Sequence, residues 1–287
     1  MHYCIGDVHG CFDEMIALLE KIENKDKNAH FIFVGDFVDR GPKVWETIEW
    51  CMEHITPGGK YQSVQGNHEQ MVLQWYLEYC DWRSKKLRLT PPPQPNYDFM
   101  EQARKKNMLD PLRLKPIMDF FTTLPFHKVV TVPGRHGAPV TYDIVHAWYN
   151  YDEPEDSTQQ YFDNLWRREV NGNFANQNIV IHGHTPTLTL MYVGKPHSSP
   201  GMIVYRNNSI NIDGGCVFSA QIDDLPGHLC GICLETLEEF YSPTLSDRLP
   251  FKERMEYIKK YRTGKDPYRE TILKRLPENR LYPFLKS

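Results

Sequence analysis

Gly35-Asp36-Phe37-Val38-Asp39-Arg40-Gly41 follows the apolar run His30-Phe31-Ile32-Phe33-Val34 and precedes Pro42. An apolar run of that length ending in glycine reads as a buried strand running into a loop. The loop then presents Asp36, Asp39 and Arg40 in quick succession. Packing gives no reason for three charges at the end of a buried strand, and left unpaired they would be expensive. A metal ion and an anionic substrate supply the missing partners. Asp36 therefore reads as a metal ligand and Arg40 as a phosphate ligand.

The same rhythm occurs on both sides of this stretch. Residues 2–5 form a short strand candidate leading into Gly6-Asp7-Val8-His9-Gly10, then an amphipathic helix with Phe12, Met15, Ile16, Leu19 and Ile22 at helical spacing. A second helix is expected at about 43–54. Tyr61–Val64 forms a third strand, which enters Gln65-Gly66-Asn67-His68-Glu69 and a helix to about residue 82. Strand, polar glycine-containing turn and helix, three times over, is the βαβ pattern with functional loops along one sheet edge.

Residues 83–125 break that rhythm. Pro91-Pro92-Pro93-Gln94-Pro95 is stiff and non-helical. Helices are expected at about 96–107 and 114–123, and the segment reads as a helical insertion lying over the site, since some 40 residues make a poor core of their own. From Phe126 the pattern turns to strands, at Phe126–Val132, Val140–Val145, Asn178–Ile181, 187–193, 202–205, 209–213 and 228–234, with a helix at about 157–166. The expected architecture is α/β, with two mixed β-sheets packed as a sandwich flanked by helices. Residues 1–250 form one domain in this reading. A helix at 251–262 and a polar, proline-containing surface tail at 263–287 follow it.

Composition excludes several classes. Across 287 residues the chain is 40% hydrophobic and 24% charged, with a net charge of −4, which fits a globular protein without a general basic field for nucleic acid or membrane. No apolar run approaches the roughly 20 residues of a membrane span, and the N-terminus shows no signal-peptide pattern. Seven cysteines without a small disulfide framework suggest reduced thiols and a cytoplasmic setting. Cys230-Gly-Ile-Cys233 lies in a strand-like run with no second pair, so it reads as structural rather than as a redox or zinc motif.

Collecting the strand-end residues gives Asp7, His9, Asp36, Asn67, His146 and His184. Carboxylate, amide and imidazole without thiolate suit an open catalytic site for manganese, iron or zinc. Asp7 and His9 can face one ion. Asp36, with two oxygens, can bridge to a second that Asn67, His146 and His184 complete. Such a pair acidifies a bridging water and neutralises phosphoryl oxygens during in-line attack. Arg40 suits a bidentate hold on phosphate, with Arg168 a second candidate for that role. His68 is placed to protonate a leaving alkoxide, and Asp39 to orient its ring and keep it charged.

These motifs resemble the phosphoprotein phosphatase family, in the bacterial and phage-like branch of the calcineurin-like metallophosphoesterases. The matches are G-D-V-H-G at 6–10, G-D-F-V-D-R-G at 35–41, G-N-H-E at 66–69, V-H-A at 145–147 and G-H-T at 183–185, with L-W-R-R at 165–168 and I-D-G-G at 212–215 also fitting. The resemblance covers roughly residues 3–235. It implies Asp7, His9 and Asp36 at a first metal, and Asp36, Asn67, His146 and His184 at a second. It also implies Arg40 and Arg168 on phosphate, His68 with Asp39 as the acid pair, and a β-sandwich fold. The choice of Arg168 over its neighbour Arg167 rests on the L-W-x-R pattern. The implied cofactors are two divalent ions, manganese first, with iron, zinc, nickel or cobalt as alternatives. The implied activity is metal-dependent phosphomonoester hydrolysis, with a serine/threonine, and also tyrosine, protein phosphatase as the first choice, acting on phosphorylated protein or a small phosphoester. The alternative is a dinucleoside polyphosphate hydrolase of the bis(5'-nucleosyl)-tetraphosphatase type.

Overall fold

β1 (His2–Ile5), β2 (His30–Phe33) and β3 (Tyr61–Ser63) lie parallel at the centre and edge of one five-stranded sheet. β9 (Cys230–Cys233) and β10 (Glu239–Tyr241) extend it antiparallel, in the order β10-β9-β1-β2-β3. The second sheet has the order β4-β5-β6-β8-β7, from β4 (His127–Val132), β5 (Val140–Val145), β6 (Ile179–His182), β7 (Val204–Arg206) and β8 (Ser209–Asn211). Its inner strands β5, β6 and β8 are mutually parallel, and β4 and β7 pair antiparallel at the edges. The structure, a computed structural model, describes residues 1–85, 98–168, 178–188, 201–220, 227–243 and 267–276. The Pro91–Pro95 stretch, residues 189–193 of one expected strand, the expected helix at 251–262 and most of the expected tail lie outside the described residues.

Alternation along the strands sorts side chains between two cores. Tyr3, Ile5, Phe31 and Phe33 face the helices α1 (Phe12–Lys25), α2 (Val44–His54), α3 (Asn67–Ser84), α4 (Asp98–Lys105) and α5 (Pro111–Thr123). Cys4, Ile32, Val34 and Val64 face the other sheet and pack against Tyr142, Ile144, Ile181 and Ile210. On the far side of the second sheet, Val145, Trp148 and Val180 form a smaller cluster. There α6 (Thr158–Trp166) docks on the His146–Trp148 segment, where Ala147 N donates to Asn164 O at 2.7 Å. The result is the expected sandwich of two mixed sheets flanked by helices.

Local chemistry sets the helix starts. Asp110 caps α5 by accepting from Leu112 N at 2.9 Å, ahead of Pro111, and Ser157 caps α6 by accepting from Gln160 N at 2.9 Å. Among the described residues no helix is long and apolar enough to cross a membrane. Cys230 and Cys233 are free and stand in opposite cores, because residues three apart on a strand point to opposite faces. They cannot grip one ion.

Three features differ from the sequence reading. β10 was not anticipated: it is only Glu239–Tyr241, with Phe240 its one buried apolar side chain, too short for a period of two to register. Thr187 and Leu188, expected to begin a strand, form a turn. Within the expected polar tail, α7 (Pro267–Leu273) docks through Ile272 and Leu276, which join the core between the sheets.

Candidate active site

The strand order explains where the polar residues gather. Asp7 and His9 follow β1, Asp36 follows β2, and Asn67 and His68 follow β3. His146 follows β5, His184 follows β6 and Asp213 follows β8. Within each sheet these strands are parallel, so all the residues emerge at carboxyl ends, where α/β sheets bind ligands. Side chains separated by up to 177 positions thereby meet.

Asp36 is the centre of the group. Its Oδ2 lies 3.4 Å from His9 Nε2, 3.4 Å from His146 Nε2 and 3.9 Å from His68 Nε2. Donor atoms of Asp7, Asp36 and His146 fall within 4.8 Å of one another, and so do those of His9, Asp36 and His68. The His184 amide donates to Asp7 Oδ2 at 3.0 Å, and the His68 amide to Asp36 Oδ1 at 2.9 Å. Asn67 Oδ1, His146 Nε2 and His184 Nδ1 converge, with separations of 2.8, 3.0 and 3.2 Å. The structure thus brings together all six of the residues expected as ligands.

The ring orientations suit cations. Val38 O accepts from His9 Nδ1 at 2.8 Å, and Val34 O accepts from His146 Nδ1 at 2.9 Å. Each carbonyl fixes a tautomer that leaves Nε2 as a lone pair aimed inward. For His146 that lone pair faces the Asn67 carbonyl oxygen at 2.8 Å, an acceptor against an acceptor. Asp7 Oδ1 is buried without a hydrogen-bond partner among the described residues. A divalent ion satisfies both, so the donor set fits the metals expected from the sequence.

Electrostatics agree. Burial, with Asp213 and Asp36 nearby, pushes the Asp7 carboxyl well above its ordinary range, and burial pushes Asp213 up to about 7. Burial would raise Asp36 as well, but the imidazoles of His146, His68 and His9 hold it below the usual carboxylate range. Burial also depresses His9 to about 3 and lowers His146, which keeps both rings neutral and able to ligate. Three carboxylates buried this close need positive charge between them. His68 behaves differently. Burial opposes its charging, yet the Asp36 and Asp39 carboxylates raise its pKa above the ordinary value. Asp39 Oδ2 contacts His68 Nδ1 at 2.7 Å, the pairing expected of an acid and its orienting carboxylate.

The backbone is strained here. Five of the nine non-glycine residues with positive φ among the described residues are His9, Asp36, Asp39, Arg40 and His184, at 46° to 68°. Each costs on the order of 1–2 kcal/mol, and such outliers concentrate where function sets the geometry. Gly66 has no alternative: a Cβ there would stand 2.2 Å from Asp36 Oδ1.

The cations of the site are arginines. Arg40 donates to His9 Nε2 at 2.6 Å, and its other terminal nitrogen lies 3.0 Å from His68 Nε2. Arg168 joins Arg40, Asp36, Asn67, His68, Met71, Trp166 and His184 in lining a cleft of about 170 Å³. Arg167 instead reaches back to Asp163 at 3.0 Å. Trp148, directly after the His146-Ala147 segment, is a core residue, at 2% exposed. His182 is buried against Trp148, outside the ligand group.

Sequence reasoning missed two contributors. The Glu69 carboxylate is fully buried and accepts from four amides, Asp36 N, Phe37 N, Val38 N and Gly66 N, at 2.8–3.3 Å. It therefore shapes the turn that aims Asp36. The available signal was a glutamate at the third helical position, which reads first as a local cap. The second is the start of α4. Phe99 N donates to Asp39 Oδ1 at 3.0 Å, and Asp98 Oδ2 accepts from Arg40 N at 3.0 Å. No local pattern announces contacts across some 60 positions.

Comparisons with known proteins agree with this geometry. Residues 3–216 match the family described as calcineurin-like phosphoesterase. A symmetrical bis(5'-nucleosyl)-tetraphosphatase of Neisseria meningitidis is 35% identical over 117 residues, 41% of this chain. The matched part spans 38% of that relative's length. An asymmetrical bis(5'-nucleosyl)-tetraphosphatase, PrpE, of Anoxybacillus flavithermus is 26% identical over 246 residues, covering 77% of this chain and 88% of that one. In fold, a protein serine/threonine phosphatase from Saccharomyces cerevisiae superposes with a TM-score of 0.50 at 14% identity, over 86% of this chain and 81% of that one. Both of these sequence relatives are named for the activity that the sequence reading set as its alternative. With the match spanning most of the chain and the expected ligand set assembled at the strand ends, the protein belongs to the calcineurin-like phosphoesterases.

Proposed function

We propose that this protein hydrolyses dinucleoside polyphosphates. The observation that carries the reading is the placement of Arg40 and Arg168 in one cleft beside the carboxylate and imidazole cluster, with Trp166 on the wall. Two guanidinium groups suit a chain of several phosphates, and an indole suits an attached base. The named relatives support the same substrate class.

Asp7, His9 and Asp36 would hold one divalent ion, and Asp36, Asn67, His146 and His184 the other, with manganese the first candidate. Bound there, two such ions lower the pKa of a coordinated water toward neutrality and neutralise phosphoryl oxygens. The chain's own groups do the rest. Arg40 and Arg168 grip non-bridging oxygens and set the phosphorus in line. Val38 O and Val34 O hold the His9 and His146 rings in their ligating orientation. Glu69 fixes the turn that presents Asp36. His68, charged through Asp39 and Asp36, adds positive charge beside Arg40 for the leaving phosphate, and holds a proton for a leaving group that needs one.

That last pair also supports a second reading, a phosphoprotein phosphatase. A leaving nucleotide phosphate departs without protonation, whereas a serine or threonine alkoxide does not, so a buried acid is of most use on phosphomonoesters. Side-by-side rates with manganese, on diadenosine tetraphosphate and on phosphoserine, phosphothreonine and phosphotyrosine peptides, separate the two. A higher kcat/KM on the dinucleotide is the expected outcome, and a clear preference for the peptides would reverse the assignment.

A further inference from the structure

Cys11, Glu14 and Cys216 form a cluster that the phosphoesterase site does not use. Cys11 precedes the first turn of α1, Glu14 lies within that turn, and Cys216 opens a short 3₁₀ turn, Cys216–Ala220. Cys11 Sγ, Cys216 Sγ and a Glu14 carboxylate oxygen lie within 4.8 Å of one another. The two thiols share a hydrogen bond. They are buried, at 1% and 2% exposed, while Glu14 is half-buried and opens a path to solvent. Chain spacing explains half of the arrangement, since residues three apart at a helix start share a face. The other half is tertiary and comes from the Gly214-Gly215 turn after Asp213.

We propose that Cys11, Glu14 and Cys216 form a mononuclear site for a thiolate-seeking divalent cation of the zinc class, separate from the oxygen- and nitrogen-donor centre. Two thiolates and a carboxylate select zinc or cobalt over magnesium or calcium. With zinc–sulfur bonds of about 2.3 Å, sulfurs on a tetrahedral ion stand about 3.8 Å apart, inside the spacing observed. Binding needs no oxidant: each thiol loses its proton to solvent, two sulfur–metal bonds and one bond from a Glu14 oxygen replace waters of the aqueous ion, and one water keeps the fourth position. The ion ties the chain just after Asp7 and His9 to the turn just after Asp213, bracing two of the loops that build the catalytic site. This assignment is independent of which phosphoester is the substrate.

Cobalt(II) titration of the full-length protein tests it, because only thiolate ligands give a near-ultraviolet sulfur-to-cobalt charge-transfer band. Imidazole, amide and carboxylate ligands do not. The band is expected in the unsubstituted protein and in Cys80→Ser, and is lost in Cys11→Ser/Cys216→Ser. Glu14→Gln, a change at the helix surface that spares the buried thiols, keeps the band but needs about ten-fold more cobalt. Added zinc abolishes the band by displacement. Absence of the band in the cobalt-loaded unsubstituted protein overturns the proposal. So does an undiminished band in the double serine variant, or an unchanged cobalt requirement in Glu14→Gln.

Discussion

Glu69 is not among the expected metal ligands, yet four amides of the Asp36 and Gly66 turns depend on its two oxygens. Burial, with the Asp36 charge beside it, raises its pKa to about 7, so the hydrogen bonds from the amides offset only part of its desolvation. Glu69→Gln keeps the shape but sets an NH2 group against amide donors. The expected loss is roughly 3 kcal/mol of stability, from hydrogen bonds to a charged acceptor. It is read as a lower denaturant midpoint, with a loss of activity because Asp36 is no longer aimed. An unaltered midpoint would show that the turn holds its shape without Glu69. His68 makes a different prediction, because its task depends on what leaves. His68→Asn removes the proton donor but keeps a polar side chain beside Asp39. Turnover of an alkyl phosphate is expected to fall by roughly 10²–10⁴-fold, the usual contribution of a positioned acid. Turnover of diadenosine tetraphosphate, whose leaving group needs no proton, is expected to fall far less. Equal losses on both substrates would remove the acid role.

At the scale of elements, α4 connects the segment between α3 and β4 to the chemistry. Its first amides and side chains contact Asp39, Arg40 and Gly41, the last through Gln102 Nε2 at 3.1 Å from Gly41 O. Phe99 is fully buried, against Trp45 and Trp75, and fixes the helix start in position. Asp39 thus accepts from a helix N-terminal amide and passes that orientation to His68. Asp98→Ala frees the Arg40 amide, and one hydrogen bond of about 1 kcal/mol predicts a fall in kcat/KM of several-fold. Asp98→Asn, which keeps an acceptor, should recover most of it. Full activity in Asp98→Ala would mean that the loop holds Arg40 unaided. The sequence made the α4 and α5 helices legible through their apolar spacing, but not their contact with a loop some 60 positions away. It made the ligands legible for a complementary reason. Asp7, His9, Asp36 and Asn67 are polar residues placed after apolar strands, where packing cannot account for them. Glu69 stayed hidden because a glutamate one turn into a helix already has a local explanation, and β10 because three residues hold too little periodicity. Arg167 and Arg168 are chemically identical in sequence. The L-W-x-R pattern singled out Arg168, and the end of α6 supplies the physical reason, turning Arg167 toward Asp163 and Arg168 into the cleft.

At the scale of the whole molecule, the site does not exist until the sandwich closes. Asp7, His9, Asp36 and Asn67 belong to the first sheet, and His146 and His184 to the second. The apolar layer between them, from Ile32 and Val34 to Ile144 and Ile181, sets the distance at which their donors meet. Closing the sandwich also crowds Asp7, Asp36 and Asp213, whose mutual repulsion works against the fold. Divalent ions bound between the sheets would reverse that term and so would couple metal binding to folding. An ion that binds only the folded chain, at a hundred times its dissociation constant, stabilises by about 2.7 kcal/mol. That corresponds to a melting-temperature rise of roughly 5 °C or more for a chain of this size. Chelation is therefore expected to lower the melting temperature by at least that amount, and added manganese to restore it. Asp36→Asn, which weakens ligation by both halves, should melt at nearly the same temperature with and without manganese. If the unsubstituted protein were equally indifferent to chelator, the two sheets would not be joined through a shared pair of ions.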